Sequence, residues 1–167
     1  MSEAPLIVTL RIDEESQSMF NELRKEYFPA HLNFLDAHLT LFHKLPSNMP
    51  AVTDLLRYFS SRPSFAMRSN GLKNIGNGVA IEVISNELID MHRDMQQALE
   101  PWLINQDRQK LWPHITIQNK VTAFKAMQSL EKLSDTYADR EIRAIGLTSW
   151  LYLKGPWERS ADFNFFV

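Results

Sequence analysis

His38-Leu39-Thr40-Leu41-Phe42-His43-Lys44-Leu45 and His114-Ile115-Thr116-Ile117-Gln118-Asn119-Lys120-Val121 are two versions of one stretch. His, Thr and Lys coincide. Where the first has Leu39, Leu41 and Leu45, the second has another aliphatic residue. Polar and apolar residues alternate through His-x-Thr-x, the period of a strand with one face on a core. On such a strand His38, Thr40, Phe42 and Lys44 share one face, opposite Leu39, Leu41 and His43. The same rule groups His114, Thr116, Gln118 and Lys120 against Ile115 and Ile117. An apolar face can hold the strand on helices while the histidine face lines a cleft.

Working outward, the surroundings of the two stretches repeat as well. A strand over residues 6–12 leads to Asp13 as cap of a helix that turns Met19, Phe20, Leu23, Tyr27 and Phe28 to one side, with Pro29 beyond it. The first histidine strand, Ala37 to Leu45, is followed by a helix from Pro50 with Val52, Leu55, Leu56 and Phe59 inward, and by a strand over 65–72. Asn77-Gly78 predicts a type I′ hairpin turn. The second half then runs strand 79–84, a helix capped at Asn86 carrying Leu88, His92, Met95, Leu99 and Trp102, and the second histidine strand, 112–121. Thr122 caps a helix with Phe124, Met127, Leu130 and Leu133 inward, and a strand over 142–153 closes the half before a Gly-Pro turn and a last extended segment, 162–167. Gly71-Leu72 and Gly146-Leu147 stand at nearly the same distance beyond their histidines. Two such units in one short chain are expected to pack about a pseudo-two-fold axis and share a cleft.

The pairing points to a reaction. At about 3.3 Å per residue, a histidine and the threonine two positions on stand roughly 6–7 Å apart along the strand, so both side chains can reach one phosphate. In-line cleavage of a phosphodiester needs a base on one side of phosphorus and an acid on the other. Imidazole serves in either role near neutrality. Threonine hydroxyls donate to the non-bridging oxygens where negative charge must be held. No metal or other cofactor is needed. His38, His43 and His114 lack the face agreement of a zinc site. His43 points away from Thr40, His31 falls in a loop, and His92 sits on an apolar helix stripe as a satisfied core histidine.

The two units, His38-Leu39-Thr40-Leu41 and His114-Ile115-Thr116-Ile117, resemble those of the 2H phosphoesterase superfamily, and Trp112-Pro113 and Gly155-Pro156-Trp157 place the resemblance nearest its 2′-5′ RNA ligase-like branch. The resemblance runs over nearly the whole chain, 1–167, as one domain of two lobes. It implies an α+β fold with two antiparallel sheets flanking a central cleft. It also implies hydrolysis of cyclic phosphodiesters such as 2′,3′-cyclic nucleotides or RNA ends, together with reversible 2′-5′ joining. His38 and His114 carry over as catalytic residues and Thr40 and Thr116 as phosphate binders. Lys44, Lys120, Phe42, Tyr152, Lys154 and Trp157 are further candidates for substrate contacts. Which histidine is base and which is acid stays open at this level.

Composition narrows the setting. Of 167 residues 44% are hydrophobic and 23% charged, enough apolar material for a core without staples. Cysteine is absent, which excludes disulfides and thiolate chemistry. The first residues, Met1-Ser2-Glu3-Ala4-Pro5, do not read as a secretory signal, and no stretch reaches the roughly 20 apolar residues of a membrane span. A cytoplasmic monomer is expected. The net charge of −2 argues against tracking of duplex nucleic acid, which relies on an excess of Lys and Arg, and favours a small nucleotide or an RNA end as partner. The alternative from another class is a binding module that holds such a ligand without turnover.

Overall fold

The computed structural model describes residues 3–167; Met1 and Ser2 of the N-terminal stretch lie outside the described residues. Among the described residues seven strands and four α-helices follow in this order: β1 (Leu6–Ile12), α1 (Glu14–Tyr27), β2 (Leu39–Leu45), α2 (Pro50–Ser60), β3 (Phe65–Asn74), β4 (Val79–Ile84), α3 (Asn86–Leu99), β5 (His114–Gln118), α4 (Ala123–Ser134), β6 (Glu141–Tyr152) and β7 (Trp157–Asn164). The mixed α and β composition and the antiparallel pairing are as expected.

Helix starts follow the local chemistry. The carboxylate of Asp13 accepts from the Ser16 amide and the hydroxyl of Thr122 from the Lys125 amide, each taking up an orphan N–H of the first turn. Pro50 opens α2, where its missing N–H costs nothing. For α3 the cap is Ser85, whose hydroxyl accepts from the Leu88 amide, one residue earlier than expected. The 79–84 hairpin also differs from expectation. Positive φ falls on Gly76 and not on Asn77, so the turn is not type I′. Its geometry is set by the end of β5: Asn77 exchanges hydrogen bonds with Val121, and a Cβ on Gly78 would lie 1.9 Å from the Gln118 carbonyl oxygen.

Every strand pairing between named strands is antiparallel, and the main path runs β2-β1-β6-β3-β4-β5, with β7 on the free length of β6. In place of two separate sheets there is a single seven-stranded one, whose halves are the ladders β2-β1-β6 and β3-β4-β5. They are joined where Glu141–Ala144 of β6 meets Phe65–Arg68 of β3, giving one hydrogen-bonded whole. Each half of the sequence therefore lends its third strand to the other half's ladder. Exchanging β1 with β4, β2 with β5 and β3 with β6 reverses the path onto itself, which is the pseudo-two-fold relation. The outermost strands, β2 and β5, approach each other in space, so the sheet curls and brings its two ends together.

The helices cross between halves in the same way: α1 packs on β5, and α2 packs on α3, β6 and β7. Side chains from both halves enter one apolar core, in which Phe20, Phe42, Leu56, Ile81, Leu88 and Ile115 have no exposed surface. Burying such a side chain stabilises by about 1.5–3 kcal/mol. Helix α4 turns inward Ala126, Ser129 and Leu133, with Leu130 partly buried, while Phe124 and Met127 are exposed. Small residues let α4 sit close on β3 and β4, so the face with the largest apolar side chains is not the packed one.

Candidate active site

The two motif strands deform alike. In β2 the register against β1 shifts twice, and Leu41 and Phe42 are buried in succession. In β5 the register against β4 shifts between Thr116 and Gln118, and Ile117 and Gln118 are buried in succession. Alternation holds through His-x-Thr and then breaks, as a β-bulge requires. Face assignments beyond the threonines consequently change. Phe42 is buried against His92, ring centroids 4.8 Å apart, and has no surface to offer a substrate. Lys44 borders a different hollow beside Pro46, and Lys120 is an exposed turn residue with φ 63°. Tyr152 and Lys154 are exposed on the β6–β7 turn, outside the lining of the histidine cavity.

His38, Thr40, His114 and Thr116 line one cavity of about 160 Å³ between β2 and β5. Both imidazoles are held the same way: His38 donates Nδ1–H to the carbonyl of Asp36 at 2.8 Å, and His114 donates Nδ1–H to the carbonyl of Trp112 at 2.8 Å. A carbonyl can only accept, so the proton on Nδ1 is dictated in both rings and Nε2 is the nitrogen left for a ligand. An aromatic ring backs each histidine. Trp112 stacks on His114 at 4.2 Å and 19°, its indole N–H donating to Glu82 at 2.7 Å. Trp157, brought in by β7, lies 4.7 Å from His38 at a 52° tilt, so it props the histidine.

The electrostatics favour a neutral His38. Its ring is half-buried by surface but set deep among protein atoms. This burial, with Arg24 and His114 nearby, lowers its pKa to about 4 against the opposing pull of the Asp36 carbonyl. Arg24 reaches the site from α1, donating to the Thr116 carbonyl at 3.0 Å and to Asn33 at 3.1 Å, with Phe28 beneath its guanidinium. Burial brings Arg24 itself down to about 10. The His92 side chain is the satisfied core histidine expected: Nε2–H donates to the Leu41 carbonyl at 2.9 Å, and burial lowers its pKa.

Sequence parity misplaces His43. Past the bulge its side chain lines the same cavity, with Nδ1–H donated to Asp107 at 2.8 Å. Asp107, in the turn Asn105–Arg108, is buried and also accepts from the backbone amides of His43 and Lys44. No sequence signal ties a lone aspartate to an amide more than sixty residues away. Trp112 was legible only as part of the resemblance.

The family model described as the 2′-5′ RNA ligase superfamily matches residues 12–156. No curated protein matches the sequence. Among solved structures, TT0787 of Thermus thermophilus superposes with a TM-score of 0.70 at 16% identity, covering 96% of this chain and 97% of its own. LigT of E. coli in apo form gives a TM-score of 0.63 at 12% identity with full coverage of both chains. LigT complexed with 3′-AMP gives 0.61 at 13%, covering 98% of this chain and 99% of that one. At these identities the likeness is one of fold.

Proposed function

Because this chain belongs to the 2′-5′ RNA ligase superfamily of 2H phosphoesterases, we propose that it hydrolyses cyclic phosphodiesters of nucleotides or RNA ends, with reversible 2′-5′ joining as the related transfer, and that its two lobes act as one catalytic unit. The observation that carries this reading is the pair of Nε2 atoms, each fixed by an Nδ1–H···O=C bond and each beside a threonine, lining one cavity. The small-nucleotide class is supported by LigT, crystallised with 3′-AMP, ATP and NADP+.

In this scheme neutral His38 is the general base. Its Nε2 takes a proton from water as the water oxygen bonds to phosphorus. His114, as imidazolium, gives its Nε2 proton to the ribose oxygen that leaves as its bond to phosphorus breaks. The order follows from the environment, since the histidine that resists protonation suits the base. Thr40 and Thr116 donate to the non-bridging oxygens as charge builds on them. Each imidazole ends in the other's starting protonation state, and proton exchange with solvent resets the site. With a ribose hydroxyl of a second end in place of water, the same steps join two ends, and run backwards they cleave the junction to the cyclic phosphate.

A panel of 2′,3′-cyclic nucleotides, cyclic-phosphate RNA ends and 2′-5′-linked dinucleotides, with His38→Ala as blank, tests the proposal. Turnover is expected on at least one cyclic phosphate, unaffected by EDTA and lowered roughly 10²–10⁴-fold in His38→Ala. Full activity in well-folded His38→Ala and His114→Ala proteins would overturn it.

A further inference from the structure

Unlike base and acid roles for His38 and His114 require the substrate to enter one way round, and the two similar His/Thr pairs, related by the two-fold, do not by themselves hold it so. The cavity wall breaks that symmetry on one side. His43 corresponds in the repeat to Asn119, whose side chain turns back to accept from the Lys120 amide and does not line the cavity. His43 does line it, and its orientation is dictated: Nδ1–H is spent on Asp107, so Nε2 is left for a ligand and donates to an anion when the ring takes up a second proton, as an imidazolium beside the Asp107 carboxylate. The supporting turn is tied down in turn, since Gln96 on α3 donates to the carbonyls of Asp107 at 2.9 Å and Gln109 at 2.7 Å.

The chemistry of this wall selects the ligand. Beside His43 it carries the cation Lys110 and the carboxamides of Gln106 and Gln109, the latter already donating one N–H to the Asn105 carbonyl at 3.2 Å. Asp107 is the one carboxylate of the lining, and its oxygens are taken by the His43 amide, the Lys44 amide and the His43 ring. A wall with a lysine, an ionisable histidine and its one carboxylate already engaged fits an acceptor-rich, negatively charged group. We infer that His43, oriented by Asp107 and flanked by Lys110, is a specificity-determining residue that holds a second phosphate of the substrate on one side of the reacting one. The substrate class is then a nucleotide or RNA end with a further phosphate, in preference to a nucleoside carrying the cyclic phosphate alone. This rests on the phosphoesterase reading of the His38/His114 site and adds a direction to it.

Binding of reaction products tests the subsite without turnover. Calorimetric titration of adenosine 2′-monophosphate and adenosine 2′,5′-bisphosphate into the wild-type protein is expected to favour the bisphosphate about tenfold. In His43→Ala that preference is expected to vanish, in Lys110→Ala to shrink, and the monophosphate affinity to stay within about twofold in both. Equal affinity for the two nucleotides in the wild type, or a preference that survives His43→Ala, would overturn the inference. Equal loss of both nucleotides in a folded His43→Ala protein would also overturn it, by making His43 a support for the reacting site. A preference that behaves as expected in a protein that turns over no cyclic phosphate would leave the subsite standing and remove the phosphoesterase reading.

Discussion

The acid limb of the pH–rate profile is where burial of His38 becomes measurable. A pKa near 4 in place of the ordinary 6.5 corresponds to roughly 3 kcal/mol in favour of the neutral ring. At pH 5.5 an ordinary imidazole would be about 90% protonated, and as a base its activity would fall about eightfold from the pH 7 value. With a pKa of about 4, His38 stays almost wholly neutral at pH 5.5. Thus kcat/KM on a cyclic phosphate is expected to show no loss from the base between pH 7 and pH 5.5, and to fall with a midpoint near 4. Arg24→Met removes one of the lesser causes of the shift, burial being the leading one, and is expected to raise that midpoint by less than about one unit. Circular dichroism at each pH separates loss of catalysis from loss of fold. A limb near 6.5 in the wild type, or an eightfold drop between pH 7 and 5.5 in folded protein, would refute the assignment of His38 as a desolvated base.

Three further outcomes follow from particular contacts. Thr116→Val keeps the shape of the side chain and removes its donor, so kcat on a cyclic phosphate is expected to fall roughly 10²–10³-fold with the melting temperature almost unchanged. Asp107→Ala strands the backbone amides of His43 and Lys44. It is expected to cost about 2–6 kcal/mol in urea unfolding, at about 1–3 kcal/mol for each orphaned group. The lowered pKa values of His38 and His92 also set the pH dependence of stability. Both groups bind protons more weakly folded than unfolded, so below the unfolded value near 6.5 the unfolded chain carries the extra protons and stability falls with pH. Thermal melts at pH 7 and pH 5 are expected to show a lower midpoint at pH 5.

The division between what the sequence reveals and what it hides follows the range of the interactions. Strands, helices, the Asp13 and Thr122 caps and the convergence of His38 with His114 are visible because each depends on neighbours in the chain or on the repeat. Exchange of β3 and β6 between ladders is a matter of long-range pairing, and nothing within either half records it. Parity is reliable along β2 and β5 only as far as the threonines. Past the bulges it put Phe42 in the cleft and turned His43 away, whereas the buried Asp107 anchors the opposite arrangement. Helix α4 misled for a related reason, since close packing selected Ala126 and Ser129 over Phe124 and Met127.

Opposed proton transfers by His38 and His114 are tested most directly by leaving-group dependence. The measurement is kcat/KM for His38→Ala and His114→Ala on a cyclic phosphate and on a p-nitrophenyl phosphodiester of the same nucleoside. A p-nitrophenolate leaves without a proton, so His114→Ala is expected to recover most of its lost rate on that substrate and His38→Ala to recover almost none. Equal impairment of both variants on both substrates would contradict the division of roles, and unimpaired rates in both would contradict the site itself.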